Sequence, residues 1–264
     1  MNIVVCMKQV PDTESVIKPD ADGLGIKTDD LKYVMNPYEE FGIEEALTIK
    51  EKTGDGKVSI VCLGPDRAVE AIRMGLAMGA DDAVHLNDPA FEGSDPFATA
   101  RALAKALESM NPDIIFCGKQ AVDDDSAQVG ITLAELLNIP HVSLITKFEV
   151  LDDRKVKVNR QIEGGEEVIE CPLPAVFTCQ KGLNEPRYAS LPGIMKAKKK
   201  PLETKDLASL GLSADEVGKA GSKTRTLKIS LPPERTPGRI VEAEEAAEKA
   251  VIMVKILREE AKVI

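Results

Sequence analysis

The sequence predicts an α/β fold: a doubly wound, mostly parallel sheet with an added hairpin region and a C-terminal arm. Three observations predict it. From Asn2 to Leu137, short apolar runs alternate with longer segments whose apolar residues recur at helical spacing. That alternation is the pattern of parallel strands joined by right-handed helical crossovers. Beyond His141 the alternation stops, and strand-like segments follow one another across tight turns.

Asn2–Met7 (NIVVCM) is the first buried strand, and Pro11 ends regular structure after it. Lys8 stands at that strand's end, where parallel sheets meet their ligands, although a solvated lysine explains it equally well. Lys18–Asp30 is polar, carries Gly23 and Gly25, and reads as a loop or hairpin excursion. Asn36 is a good N-cap and Pro37 suits the first helical position, so a helix runs from there to about Lys52. Lys57–Leu63 (KVSIVCL) is the second strand. Gly64-Pro65 leads into a helix ending at Met78, with Val69, Ile72 and Leu76 at helical spacing and Gly79 as its stop. Ala83–Leu86 is a third strand, and Asp95–Ser109 is a helix with Ala100, Leu103, Ala104 and Leu107 on one face. Asp113–Cys117 is a fourth strand and Ser126–Leu137 the next helix. Val142–Val150, Lys155–Ile162 and Glu167–Glu170 read as strands that turn at Asp152-Asp153 and Glu163-Gly164-Gly165, and Ala175–Cys179 is the last core strand.

Composition narrows the function. A chain of 264 residues suits one large α/β domain or a domain plus an arm. Its net charge of −10 argues against nucleic acid and anionic membranes as partners. No apolar run approaches a membrane span. The first strand begins at Asn2, leaving no room for a signal peptide. Cys6, Cys62, Cys117, Cys171 and Cys179 are scattered, without a C-x-x-C pair, and fit buried thiols in a reducing cytoplasm. His85 and His141 have no Ser, Cys or second His in a motif and read as structural. There is no G-x-G-x-x-G fingerprint and no G-x-x-x-x-G-K-[ST] loop. No nucleophile sits with a base and no metal-ligand set is spaced for an ion, so no catalytic residue and no metal are assigned.

The candidate site is the loop that leaves the fourth strand at Gly118 and enters the helix at Ser126. Loops of this kind bind ligands in α/β sheets, and the free amides of a helix start seat a phosphate. Asp123, Asp124 and Asp125 repel phosphate, so they point away, accept from ribose hydroxyls, or cap the helix; Asp125 or Ser126 is placed to do the last. Adjacent aspartates do not easily converge on one Mg²⁺ ion.

Val158 to Lys200 reads VNRQIEGGEEVIECPLPAVFTCQKGLNEPRYASLPGIMKAKKK. This segment closely resembles the signature of the electron-transfer flavoprotein β subunit. The likeness extends to the opening VVCMKQVPD, Met35-Asn36-Pro37, Ala77–Asp81, and Gly118–Ala121 with Asp123–Asp125. The resemblance implies a Rossmann-like adenine-nucleotide-binding domain over residues 1–200 and an arm over 201–264 that packs on an α partner. It also implies a heterodimer in which α mainly holds a redox-active FAD and β holds AMP. The nucleotide would touch Cys6, Asn36, Pro37, Tyr38, Glu39 and Leu63. It would also touch the loop and helix start Asp123, Asp124, Asp125, Ser126, Ala127, Gln128, Val129, Gly130, Ile131, Thr132, Leu133 and Ala134.

The same resemblance makes Cys179–Lys200 a recognition loop for flavin dehydrogenases such as acyl-CoA dehydrogenase, and so places the chain in fatty acid oxidation. Leu183 is its expected apolar anchor, beside Asn184, Glu185, Pro186, Arg187 and Tyr188. Pro186 and Pro192 limit the entropy lost on docking. Lys196, Lys198, Lys199 and Lys200 form a basic cluster on an acidic chain, suited to steering an acidic partner or simply solvated. The final helix, Glu242–Lys262, is apolar on several sides, which suits packing on another subunit or back on its own sheet. Ala127-Gln128-Val129-Gly130 and the opening KQVPDT look more like the electron-bifurcating branch, in which a second FAD replaces AMP and takes hydride from NADH. The triplet Asp123–Asp125 looks like the AMP type. A non-redox adenine-nucleotide sensor is a third reading, but it has no use for Leu183–Lys200.

Overall fold

A computed structural model describes residues 1–264 apart from Asp153 and Thr236. The turn expected at Asp152-Asp153 therefore falls partly outside the described residues. In chain order the first half runs β1 (Asn2–Met7), β2 (Gln9–Pro11), β3 (Tyr33–Met35), α1 (Pro37–Thr53), β4 (Lys57–Leu63), α2 (Ala68–Met78), β5 (Asp82–Leu86), α3 (Pro96–Met110), β6 (Ile114–Gly118) and α4 (Val129–Leu137). The second half runs β7 (His141–Asp152), β8 (Lys155–Ile162), β9 (Gly165–Pro172), β10 (Ala175–Cys179), α5 (Leu191–Ala197), β11 (Leu202–Lys205), α6 (Gly218–Gly221) and α7 (Ala246–Lys255).

Nine strands form one sheet in the order β11-β5-β4-β1-β6-β10-β7-β8-β9. Every pairing from β11 to β7 is parallel, and β7-β8-β9 is an antiparallel meander, as the change of pattern at His141 predicts. The strands of the parallel part are apolar on both faces because helices cover both. On β1, Ile3, Val5 and Met7 join the core beneath α1 and α2, whereas Val4 and Cys6 join the core beneath α3 and α4. Phe116, Phe148 and Phe177 pack with ring centroids 5.0–6.0 Å apart where the parallel sheet passes into the meander.

Several elements differ from the sequence expectation. β2 and β3 pair antiparallel as a small second ribbon, which the polar, proline-punctuated sequence around them hides. Leu202–Lys205, read from sequence as part of the arm, is the parallel edge strand beside β5. Helix α4 begins at Val129 rather than Ser126, because Asp125 (φ 51°) and Ala127 (φ 53°) are left-handed and break any earlier helical turn.

The chain divides into a compact unit Met1–Ile229, which holds both cores, and a second unit Ser230–Ile264. In the second unit α7 is shorter than the expected Glu242–Lys262, continues as one π turn over Ile256–Glu260, and has no buried residue. Among the described residues, no helix is long and apolar enough to cross a membrane.

Candidate functional site

The strand order reverses between β1 and β6. From β1 the chain steps outward through β4 and β5, then returns to β6 on the other side. At such a reversal the connections from neighbouring strands run to opposite faces of the sheet, which is where α/β sheets bind ligands. Lys8 follows β1, and Lys119–Gln128 follows β6. The two meet directly: Lys8 Nζ lies 2.7 Å from Asp123 Oδ1 and 3.2 Å from Asp124 Oδ2. Burial would lower the lysine's pKa, but the two carboxylates hold it above its usual value. Lys8 therefore offsets part of the charge that made this loop a poor seat for phosphate.

Asn36 sits at the N-cap position of α1, yet its side chain caps nothing. It is fully buried; its Nδ2 donates to Gln120 O at 2.9 Å and its Oδ1 accepts from Val122 N–H at 3.0 Å. The cap expectation fails because the crossing loop offers both an acceptor and a donor, and a buried amide takes both. The expected cap of α4 fails as well. Asp124 accepts from Ser126 N–H and Asp125 accepts from Gln120 Nε2, so both carboxylates order the loop itself. The N-cap position of α4 is Gln128, with no side-chain cap. The first amides of α4 are thus left facing the loop.

Glu39 lies in the first turn of α1, buried against β6. A Cβ on Gly118 would collide with Glu39 Oε1 and with Tyr38 Cβ, so only glycine fits at the end of β6. Gly130 allows the same close approach at the start of α4, where a Cβ would meet Thr178 Cγ2 at 2.8 Å. Burial pushes the Glu39 carboxyl up to about 8, against the pull of Asn36 and Lys8. Among the described residues Glu39 Oε2 has no hydrogen-bond partner.

Cys6 and Leu63 lie toward the C-terminal ends of β1 and β4, Asn36–Glu39 at the start of α1, and Asp123–Gly130 between β6 and the first turn of α4. Leu133 and Ala134 are fully buried in the core beneath α4 and support the helix from behind. His85 is buried, with Nε2 2.8 Å from Gly64 O, which is a structural role. All five thiols are free and buried. Among the described residues no group of three His, Cys, Asp or Glu side chains is arranged for a metal ion.

The segment Gln180–Lys200 is strapped to the helices beneath it. Asn184 Nδ2 donates to Phe41 O and to Glu45 Oε2. Arg187 pairs with both Glu44 oxygens, at 2.8 and 2.9 Å, and with Glu51 at 2.6 Å. Burial opposes the charge on Glu44, but Arg187 still holds its carboxyl below the usual range. Lys200 Nζ donates to the carbonyls of Leu76, Gly79 and Ala80 at the end of α2. Leu183 is half-buried and packs on the core, whereas Tyr188, Leu191 and Met195 are 98%, 79% and 73% exposed. Leu191 and Met195 escaped the sequence reading. Their i, i+4 spacing within LPGIM was the available signal.

The sequence model described as the electron transfer flavoprotein domain matches residues 23–210. An electron transfer flavoprotein subunit beta of Bacillus subtilis is 41% identical over the full length of both chains. The corresponding subunit of Thermoanaerobacterium thermosaccharolyticum is 43% identical over 91% of this chain and 92% of its own. A protein of Acetobacterium woodii named as subunit CarD of a caffeyl-CoA reductase-Etf complex is 38% identical over 98% of each chain. With the parallel sheet, its switch point and these full-length likenesses together, the chain belongs to the electron transfer flavoprotein family, among relatives that are β subunits.

Proposed function

We propose that this chain is the β half of a heterodimeric electron carrier. In this reading it binds AMP at the Asp123–Ala134 loop and docks on flavin dehydrogenases, acyl-CoA dehydrogenases among them, through Gln180–Lys200. The observation that carries the nucleotide reading is the start of α4. Its amides form the positive end of a helix, no side chain caps them, and Lys8 already partly neutralises the aspartates beside them. This donor set suits a phosphate, and the orphaned Glu39 Oε2 marks a polar floor next to it. FAD, held mainly by the α partner, supplies the electron-accepting chemistry. The residues of this chain bind, orient and dock. Asn36 fixes the loop to α1, and Lys8 holds the aspartates away from the phosphate seat. Tyr188, Leu191 and Met195 offer apolar contact to a partner, and Lys196, Lys198 and Lys199 steer it. The exposed apolar residues of α7 (Val251, Ile252, Met253 and Val254), which lie on several sides of it, are assigned to the α subunit. The reading places the pair in the cytoplasm.

A bifurcating role, with a second FAD in place of AMP, is favoured by one observation, the Ala127–Gly130 sequence at the helix start. Nucleotide content separates the two. The chain is co-expressed with its α partner, the purified pair is denatured, and released FAD and AMP are quantified. One of each per heterodimer is expected. Two FAD and no AMP would move the chain to the bifurcating role, and AMP without FAD or a stable partner would sink the electron-transfer reading.

A further inference from the structure

Glu39 is the buried acid at the polar floor of the proposed nucleotide seat, and its burial has a consequence for the loop beside it. It is 6% exposed, and among the described residues its Oε2 is unpartnered. The groups that face it come from each element around it. Lys8 and Asp123 approach from the loops after β1 and β6, and Asn36 from the turn before α1. Cys62, Cys117 and Cys179 approach from β4, β6 and β10. Among these groups Lys8 is the single cation. Burial pushes the Cys62 thiol up to about 12 and raises Cys179, and a hydrogen bond with Cys6 together with burial raises Cys117, so the thiols stay neutral.

Among the described residues, Lys8 and Asn36 are also the two side chains from outside the loop that hydrogen-bond to it. Lys8 grips Asp123 and Asp124, and Asn36 grips Gln120 O and Val122 N–H. Glu39 therefore sits against both clamps of one loop.

We propose that Glu39 is carried as the neutral acid, and that its proton keeps the loop Gln120–Gln128 closed by leaving Lys8 and Asn36 free to clamp it. An ionised carboxylate does not remain unpartnered at such depth, because burying an uncompensated charge costs far more than breaking a hydrogen bond. When the proton leaves to solvent, the carboxylate draws on the cation and the side-chain amide that face it. Those are Lys8 Nζ and Asn36 Nδ2, and their contacts with Asp123, Asp124 and Gln120 weaken in proportion. The titration lies just above neutral pH, since burial places the carboxyl at about 8. The direction is opening with rising pH. The inference concerns the same loop as the nucleotide reading but needs no nucleotide.

The test is amide hydrogen exchange on the intact chain without added nucleotide, read as protection factors from about pH 6 to about pH 9. In the native chain the Val122 and Ser126 amides are expected to lose protection as pH rises toward about 8, by at most about tenfold per pH unit, and to level off above it, while amides of β1 and β6 keep theirs. In Glu39→Gln, which cannot ionise, loop protection should stay flat with pH. Identical pH profiles for the native chain and the variant overturn the proposal. Should the variant not fold, carboxyl carbon-13 resonances of the native chain decide. One glutamate titrating near 8, in step with loss of loop protection, supports the proposal. It is overturned if no glutamate titrates above about pH 6, or if one does so while the loop stays protected. A pH-sensitive loop in a chain that yields no AMP would leave this proposal standing and remove the nucleotide reading.

Discussion

At residue scale, Asn36 and Glu39 carry more than their sequence context announces. Asn36 before Pro37 is a sound cap by local rules, yet the side chain serves a loop 84 residues away. Truncating it in Asn36→Ala leaves a carbonyl and an amide of that loop without their partner. The expected cost is about 2–3 kcal/mol, read as a lower urea midpoint with an unchanged m-value. A shift under about 0.5 kcal/mol would mean that water replaces the amide. Glu39 makes stability depend on pH with an unusual sign. Its folded pKa, about 8, is above the unfolded value of 4.5, so the folded state binds the extra proton between them. Its contribution is fully present below the unfolded value and is lost as pH rises through about 8. Glu39→Gln should therefore gain on the native chain as pH rises, by at most about 1.4 kcal/mol per pH unit across that window. Equal melting temperatures at pH 5 and pH 8 for both chains would falsify this.

At element scale, Gln180–Lys200 is a held platform rather than a floppy loop. Three polar straps, at Asn184, Arg187 and Lys200, fix it to α1 and α2 before any partner arrives, so less entropy remains to be lost on docking. Against the expected anchor Leu183, we propose Leu191. Leu183 packs inward, so Leu183→Ala should cost about 1–2 kcal/mol of stability, measured by chemical unfolding. Leu191 stands outward and exposed. Leu191→Ala should leave the melting temperature unchanged and raise the Kd for a partner dehydrogenase about tenfold or more, read by surface plasmon resonance. The reverse pattern would return the anchor to Leu183. Neutralising Lys196, Lys198 and Lys199 together should slow association and flatten its salt dependence while dissociation stays the same. Lys200 is left out of that set because its ammonium points into the protein.

At the scale of the whole molecule, both hydrophobic cores lie within Met1–Ile229. Among the described residues of Ser230–Ile264, none is buried. A chain ending at Ile229 is expected to unfold cooperatively at the native melting temperature, by calorimetry, but to lose its hold on the α subunit in co-purification. A truncated chain that fails to fold, or one that still binds α fully, would refute the assignment of the arm to the partner.

The alternation of short apolar runs with amphipathic helices, punctuated at Pro37, Gly64-Pro65 and Gly79, determined the parallel sheet and the loops at its edge. These are local signals, since the apolar period and the turn chemistry act within a few residues. Long fixed spacings in Val158–Lys200 determined the family. Sequence did not determine that Asn36 clasps a crossing loop, that Lys8 neutralises Asp123 and Asp124, or that Leu202–Lys205 completes the sheet. Nor did it show that Leu183 turns inward while Leu191 turns out. Each of these depends on which groups meet across more than twenty residues of chain. A buried amide or carboxyl takes the partner that packing brings to it, in preference to the one its neighbours in sequence propose.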